Sequence, residues 1–229
     1  MDAPRESWAA RSSSPVRAWM IVALTACSAE TGDTHTASTV EPPRTADTSY
    51  EPVLPDPAYS EGQGPMVCVD ETHNNFHTSV GTYLPFAEVL RRDGYEVRRF
   101  TEGGRAALDA CDIFVIADAQ PPERAGEAPT FSAEDVELLA MLSWAPEHYY
   151  EFEDDTPRVD VTGRSQGGVL DRGAGRVAIF GEAAMFTAQV FDQGRPRVGM
   201  NAPEAPHNLR LLLNVMHWLS RLGEGASGS

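Results

Sequence analysis

The densest group of chemically versatile side chains lies between residues 70 and 78, which read Asp-Glu-Thr-His-Asn-Asn-Phe-His-Thr. Acids, histidines and asparagines so close together can bind a metal, polarise a carbonyl or hydrogen-bond a polyhydroxyl ligand. The segment directly follows an apolar run at 66–70 that reads as a buried strand, and α/β folds bind ligands where strands end. The alternative is a polar loop whose side chains satisfy backbone groups. The candidate ligand-binding residues here are Asp70, Glu71, His73, Asn74, Asn75 and His77.

Three more candidates lie in two later segments. Glu182 comes after an apolar run that ends at Phe180, where it could face the same sheet edge or simply favour a helix N-terminus. Asn201 and Glu204 lie in a loop before the last predicted helix, where capping is the alternative role. Asp118, which also follows a predicted strand, is a weaker candidate. We predict no cofactor. We also predict no metal, because no helix is indicated at the candidate loop to place its two histidines together.

The elements that position these residues alternate between strands and helices. This alternation predicts an α/β fold with a parallel sheet between helical layers, and it brings the strand ends to one edge. We expect the residues at that edge to be loosely packed and accessible, with little cost in stability when one of them is replaced. The predicted strands cover 66–70, 95–100, 112–117 and a hairpin at 169–180, and the predicted helices cover 80–93, 132–144, 182–190 and 206–222.

Composition excludes several classes of function. The chain has a net charge of −16, and its basic residues are all arginine, so a phosphate-loop lysine, a Schiff-base lysine and a Ser–Lys dyad are excluded. An acidic domain repels nucleic acid, and we predict no nucleic-acid partner. The turn after Phe180 carries no thiol or hydroxyl nucleophile.

The N-terminal region has the pattern of an export signal. Arginines precede a nine-residue apolar run at 18–26, which is too short for the roughly 20 residues of a membrane-spanning helix and fits a signal peptide. Leu24-Thr25-Ala26-Cys27 resembles a bacterial lipobox, which implies cleavage before Cys27 and attachment of lipid, such as palmitate, to that residue. An ordinary signal peptide with a chance cysteine is the alternative.

These features divide the chain into four parts. We predict a lipoprotein signal peptide at 1–26, a lipidated Cys27 with a disordered tether to residue 60, a folded domain at 61–222 and a flexible tail at 223–229. The membrane is then a partner through the lipid. The domain would lie outside the cytoplasm, at the outer membrane and periplasm or on the outer face of a single membrane.

Two cysteines remain in the folded part. Cys68 lies within one apolar run and Cys111 lies just before another, and we expect both to be buried free thiols. A disulfide between them is the alternative in an exported protein.

Four segments together resemble an uncharacterised group of the class I glutamine amidotransferase-like superfamily. They lie at 70–78, 166–170, 175–189 and 200–208, and the resemblance extends over 66–222 with one break. It implies a flavodoxin-like three-layer sandwich with a mostly parallel sheet. It does not imply glutaminase activity, because the nucleophilic cysteine and its His–Glu partners have no matching pattern here.

The break in the resemblance falls after the helix predicted at 132–144. The resemblance implies a Gly-Gly turn and another apolar strand there, but residues 145–158 are rich in acids and aromatics instead. We therefore expect a sheet that lacks one strand and its crossover.

Two functions of different classes fit these observations. A non-catalytic module that binds a glycan or a protein of the cell envelope is favoured by the missing nucleophile. A hydrolase, metal-assisted or not, is the alternative, and it would use the acids and histidines of residues 70–77.

Overall fold

The computed structural model describes residues 18–22, 44–120, 167–191 and 197–223. Within these residues the chain forms nine strands, three α-helices and a 3-10 turn at Ala184–Phe186. The strands are β1 (Ala18–Val22), β2 (Arg44–Ala46), β3 (Met66–Asp70), β4 (Glu96–Phe100), β5 (Ile113–Ala117), β6 (Gly167–Arg172), β7 (Gly175–Phe180), β8 (Ala188–Phe191) and β9 (Val198–Gly199). The helices are α1 (Leu84–Arg92), α2 (Arg105–Leu108) and α3 (Asn208–Leu219).

The main sheet has six strands in the order β4-β3-β5-β1-β7-β6. Its strands run parallel except β6, which forms an antiparallel hairpin with β7 at the edge. The prediction of an α/β fold with parallel strands is confirmed. The predicted hairpin is also present, turning at Gly173 with a positive φ of 56° that suits glycine.

Both faces of the main sheet are covered by apolar side chains. All five residues of β5 are buried, and its alternate residues contribute to two separate cores. Ile113 and Val115 join a core with α1 and α3, whereas Phe114 and Ile116 join a smaller core that includes Leu108 of α2. A strand that is apolar throughout is expected when both faces are covered.

β1 occupies the middle of the main sheet. It pairs with β5 on one side and β7 on the other along all of Ala18–Val22, and Ala18 and Met20 are buried in the larger core. The sequence analysis assigned these residues to a signal peptide, whereas in the full-length chain they form a strand. Cys27 lies outside the described residues, and cleavage before it stays a prediction.

The folded part begins before the predicted boundary at residue 61. β2 pairs with β8, Asp47 is buried, and the Tyr50 hydroxyl donates to the Met200 carbonyl across 3.2 Å. Tyr59 packs edge-on against the buried Tyr95. The assignment of residues 44–60 to a disordered tether is therefore wrong. The polar composition of this segment gave no signal for its short strand or for the few side chains that anchor it. Residues 27–43 lie outside the described part.

Cys68 and Cys111 form a disulfide, so the expectation of two free thiols is wrong. The reason is topological, because β3 and β5 are neighbours and bring the two Cα atoms within 5.7 Å, a normal disulfide separation. Structural disulfides are typical of proteins in oxidising compartments.

The helix predicted from Glu182 to about Val190 is also wrong. The chain makes only the 3-10 turn and then enters β8, which pairs with β2 and β9. The strand is favoured because two partners satisfy its backbone, and one of those partners lies in the segment assigned to the tether. The helix predicted at 132–144 lies outside the described residues, as do residues 224–229 of the predicted tail.

Candidate functional site

Three loops leave the main sheet at its carboxyl edge, after β3, β5 and β7. We call residues 70–79 the Asp70 loop and residues 118–120 the Asp118 loop. The Phe76 amide donates to the Asp118 carbonyl across 3.0 Å, and the Gln120 amide donates to the His73 carbonyl across 3.0 Å. These two bonds join the loops into one surface.

The Asp70 carboxylate is the centre of the Asp70 loop. It is completely buried at the end of β3 and accepts hydrogen bonds from the following residues. Its Oδ1 accepts from the Thr72 amide at 3.1 Å and the Thr72 hydroxyl at 2.7 Å. Its Oδ2 contacts His73 Nδ1 at 2.7 Å and accepts from Asn75 Nδ2 at 3.4 Å. The carboxylate therefore fixes the course of the loop.

His73 contacts both Asp70 and Thr72 through its Nδ1 atom. Its Nδ1 lies 2.7 Å from Asp70 Oδ2 and 3.0 Å from Thr72 Oγ1. In a nucleophilic triad the acid and the hydroxyl contact different ring nitrogens, so that a proton can pass through the imidazole. Here both contact the same nitrogen, and Thr72 is not placed as a nucleophile activated by His73.

Asn75 joins the Asp70 loop to the end of β5. Its Nδ2 donates to the Ala117 carbonyl at 3.2 Å, and its Oδ1 accepts from the His73 amide at 3.1 Å. The expectation of a loosely packed cluster is therefore wrong for Asp70, Asn75 and His77, which are all buried. Polar side chains in a tight loop have backbone groups to satisfy, and Asp70 and Asn75 are used for that purpose.

Backbone strain is concentrated where the two loops meet. Among the described residues, three non-glycine residues have positive φ, and two of them are Asn74 at 51° and Asp118 at 48°. Such conformations persist where surrounding contacts enforce them, and they are often found at functional sites. Asn74 is exposed in this conformation, at the surface of the site.

The Glu71 carboxylate contacts different residues from those that Asp70 contacts. Its Oε1 accepts from the Ser79 amide at 2.9 Å and the Ser79 hydroxyl at 2.7 Å, while its Oε2 accepts from Arg99 Nε at 2.7 Å. Its side chain is 4% exposed. Glu71 thus closes the far end of the Asp70 loop and ties it to β4.

His77 is buried beneath the loop. Its Nδ1 lies 2.6 Å from Thr82 Oγ1, and its ring packs against Tyr83 at 4.8 Å between centroids. Burial, with a smaller contribution from the positive charge of Arg44, lowers the pKa of His77 to about 4. The imidazole is therefore neutral at pH 7 and serves to pack the loop.

Asp118 and Glu182 form the acidic part of the site. Burial raises the pKa of Asp118, the bond from Gln120 opposes that rise, and the negative charge of Glu182 adds to it. Glu182 Oε1 also accepts from the Ala184 amide at 2.7 Å. The structure thus brings Glu182 within electrostatic range of the Asp118 loop. The one sequence signal for Asp118 was its position directly after a strand.

The candidates after β9 belong to another part of the molecule. Asn201 Nδ2 donates to Asp47 Oδ2 at 2.9 Å and to the Gln189 carbonyl at 3.3 Å, beside the three-stranded sheet. Glu204 is exposed in the loop that follows. Neither contacts the Asp70 loop or Glu182 in the hydrogen bonds that the structure shows.

The aromatic side chain of Phe76 is exposed on the joined loops. Phe76 is 56% exposed, although its amide is bonded to the Asp118 loop and its ring edge meets His77 at 5.0 Å between centroids. Val80, just beyond the loop, is 60% exposed. Apolar groups held in this way can contact a ligand without any loop rearrangement.

In the described part of the chain, no three His, Cys, Asp or Glu side chains are grouped in a way that could hold a metal ion. Comparisons with known family models, with curated proteins and with solved structures find no match to this chain.

The buried His77 predicts a pH effect on stability. Its pKa is lower in the folded chain than the value near 6.5 of an unfolded one, so protons bind the unfolded state preferentially between pH 6.5 and 4. Its contribution to stability is complete above about pH 6.5 and is lost as the pH falls to 4, by at most about 3 kcal/mol.

His77→Asn keeps a polar atom near Thr82 but removes this titration. Urea unfolding at pH 7 and pH 4.5 should show a smaller loss of stability in the variant than in the wild type. Equal losses in the two proteins would show that His77 does not titrate in this way.

Proposed function

We propose that the domain is a non-catalytic module that binds a glycan of the cell envelope. One observation carries the proposal: Phe76 is exposed on the Asp70 loop, the backbone of that loop is bonded to the Asp118 loop, and the Asp118 carboxylate lies within electrostatic range of Glu182. An aromatic ring can cover the apolar face of a sugar, while carboxylates and the Asn74 amide accept or donate hydrogen bonds to hydroxyls. A rigid surface binds without the entropic cost of ordering a loop.

A hydrolase is the second candidate, and the environment of Asp118 favours it. A carboxyl group whose pKa is raised by burial, next to a second carboxylate, is the pattern of acid–base pairs that cleave glycosidic bonds. Thr72 is not placed as a nucleophile activated by His73, because the acid and the hydroxyl contact the same ring nitrogen. We therefore prefer binding, and we assign any hydrolysis to Asp118 and Glu182.

We further propose that the domain is exported and anchored to a membrane by lipid on Cys27. The Cys68–Cys111 disulfide supports an oxidising compartment. None of the helices in the described part of the chain has the length and apolar character needed to cross a bilayer. The finer assignment, a flavodoxin-like three-layer sandwich of the amidotransferase-like superfamily, is supported by the apolar cores on both faces of the main sheet.

Cys27→Ser should remove the anchor. The wild-type protein should partition into the detergent phase after extraction of cells, and the variant should move to the aqueous phase, because no acyl chain remains. A variant that partitions like the wild type would contradict the lipoprotein assignment.

Phe76→Ala and Glu182→Gln test the binding site. We expect each to weaken binding of the purified domain to immobilised peptidoglycan and envelope polysaccharide by tenfold or more, which corresponds to about 1.4 kcal/mol. The matched control is Val53→Ala, which removes another exposed apolar side chain from outside the site and should leave binding unchanged.

Analysis of the sugars after incubation separates the two functions. Intact glycan recovered from the domain supports a binding module. Shortened glycan that the wild-type domain produces and the Asp118→Asn variant does not produce supports the hydrolase instead. Binding that survives Phe76→Ala and Glu182→Gln, or binding to envelope proteins alone, would contradict a glycan site at these loops.

A further inference from the structure

Tyr83 connects the Asp70 loop to the start of α1. It lies directly before the helix, and its backbone amide donates to the Thr78 carbonyl across 3.1 Å. Its side chain is completely buried, and its ring packs against His77, with 4.8 Å between the ring centroids, and against Phe86, with 4.9 Å. These contacts fix the place of the Tyr83 hydroxyl.

The hydroxyl of Tyr83 reaches the turn that follows β7. It donates to the Ala183 carbonyl across 2.9 Å. That carbonyl and the Ala184 amide belong to one planar trans peptide group and point in opposite directions, so a bond that orients one of them also orients the other. The Ala184 amide in turn donates to Glu182 Oε1 across 2.7 Å. Two hydrogen bonds thus lead through this peptide group from the Tyr83 hydroxyl to the Glu182 carboxylate.

The environment of the Tyr83 hydroxyl keeps it a donor. Burial raises the pKa of Tyr83 well above its usual value, and the negative charges of Glu182 and Asp118 add to that rise. The hydroxyl therefore keeps its proton at neutral pH, and both carboxylates lie within electrostatic range of it. Hydrogen bonds in a chain polarise one another, so the bond from Tyr83 strengthens the bond that the Ala184 amide makes.

We propose that Tyr83 is a positioning residue of the glycan site: its hydroxyl orients the peptide group between Ala183 and Ala184, and this peptide group holds the Glu182 carboxylate at the carboxyl edge of the main sheet. The proposal rests on the proposed function, because it assigns Tyr83 to the surface that binds the glycan. Through Tyr83 the turn after β7 is joined to the Asp70 loop, which is itself bonded to the Asp118 loop.

The pKa of Asp118 reports the position of Glu182 without any ligand. Burial raises this pKa, a hydrogen bond from Gln120 opposes the rise, and the negative charge of Glu182 adds to it, so Glu182→Gln should lower it. Tyr83→Phe removes the hydroxyl and keeps the buried ring. We expect it to lower the pKa of Asp118 by most of the same amount, because the released carboxylate moves away. Carboxyl ¹³C NMR of the purified full-length chain over a pH titration measures both shifts.

Tyr95→Phe is the matched control. Tyr95 is also a buried tyrosine, and its hydroxyl lies 3.1 Å from Ser220 Oγ, outside the three loops. This variant and Tyr83→Phe should both lower the melting temperature, since each loses a buried hydrogen bond, but Tyr95→Phe should leave the pKa of Asp118 unchanged. In a Glu182→Gln protein, Tyr83→Phe should change this pKa no further, as expected if Tyr83 acts through Glu182.

Glycan binding should follow the same pattern. We expect Tyr83→Phe to weaken binding about fivefold, the size expected for the loss of one hydrogen bond, and to have no further effect in the Glu182→Gln protein. A wild-type protein that binds no glycan would contradict the proposed function alone, because the pKa comparison uses no ligand and still decides the role of Tyr83.

Three results would overturn the positioning role. One is a pKa of Asp118 that stays unchanged in Glu182→Gln or in Tyr83→Phe, and another is an equal shift in Tyr95→Phe. The third comes from the wild type and needs no folded variant. The Ala184 amide should exchange slowly and its resonance should follow the titration of Glu182, so exchange at the rate of an open loop would show that the peptide group is not held.

Discussion

The buried carboxylate of Asp70 is the constraint on which the candidate site depends. A charged group with no exposed surface is stable only when hydrogen bonds replace its hydration, and here Thr72, His73 and Asn75 provide them. Those bonds turn the chain sharply after β3, and Asn75 then reaches the end of β5. The buried polar residues of this loop are therefore needed for its conformation. The side chains that could contact a ligand are the exposed ones, such as Phe76.

The division between support and contact explains the choice of function. Side chains that looked catalytic in the sequence hold the loop from within, and the strained backbone at Asn74 and Asp118 shows that the loops are tightly held. Phe76 is exposed, and the side chains of Asp118 and Glu182 are half-buried. We therefore propose that this surface recognises a ligand.

The sequence predicted the elements whose signals are local. The apolar run of β5 and the residues 70–77 at a strand end followed from pattern and topology. The failures depended on long-range partners. β8 is a strand because β2 pairs with it from a polar segment more than 140 residues away in the chain, and Cys68 meets Cys111 only because β3 and β5 are neighbours. Nor does composition distinguish an apolar leader from a central strand, since both need the same residues.

Hydrogen exchange at the Phe76 and Gln120 amides tests directly whether Asp70 holds the two loops together, because these amides join the loops. We expect both amides to exchange slowly, with protection within about tenfold of the β5 amides, and Asp70→Asn to lower this protection selectively while β5 stays protected. Exchange of the two amides at the rate of an open surface loop in the wild type would contradict a rigid joint between the loops. So would an Asp70→Asn protein in which their protection is unchanged.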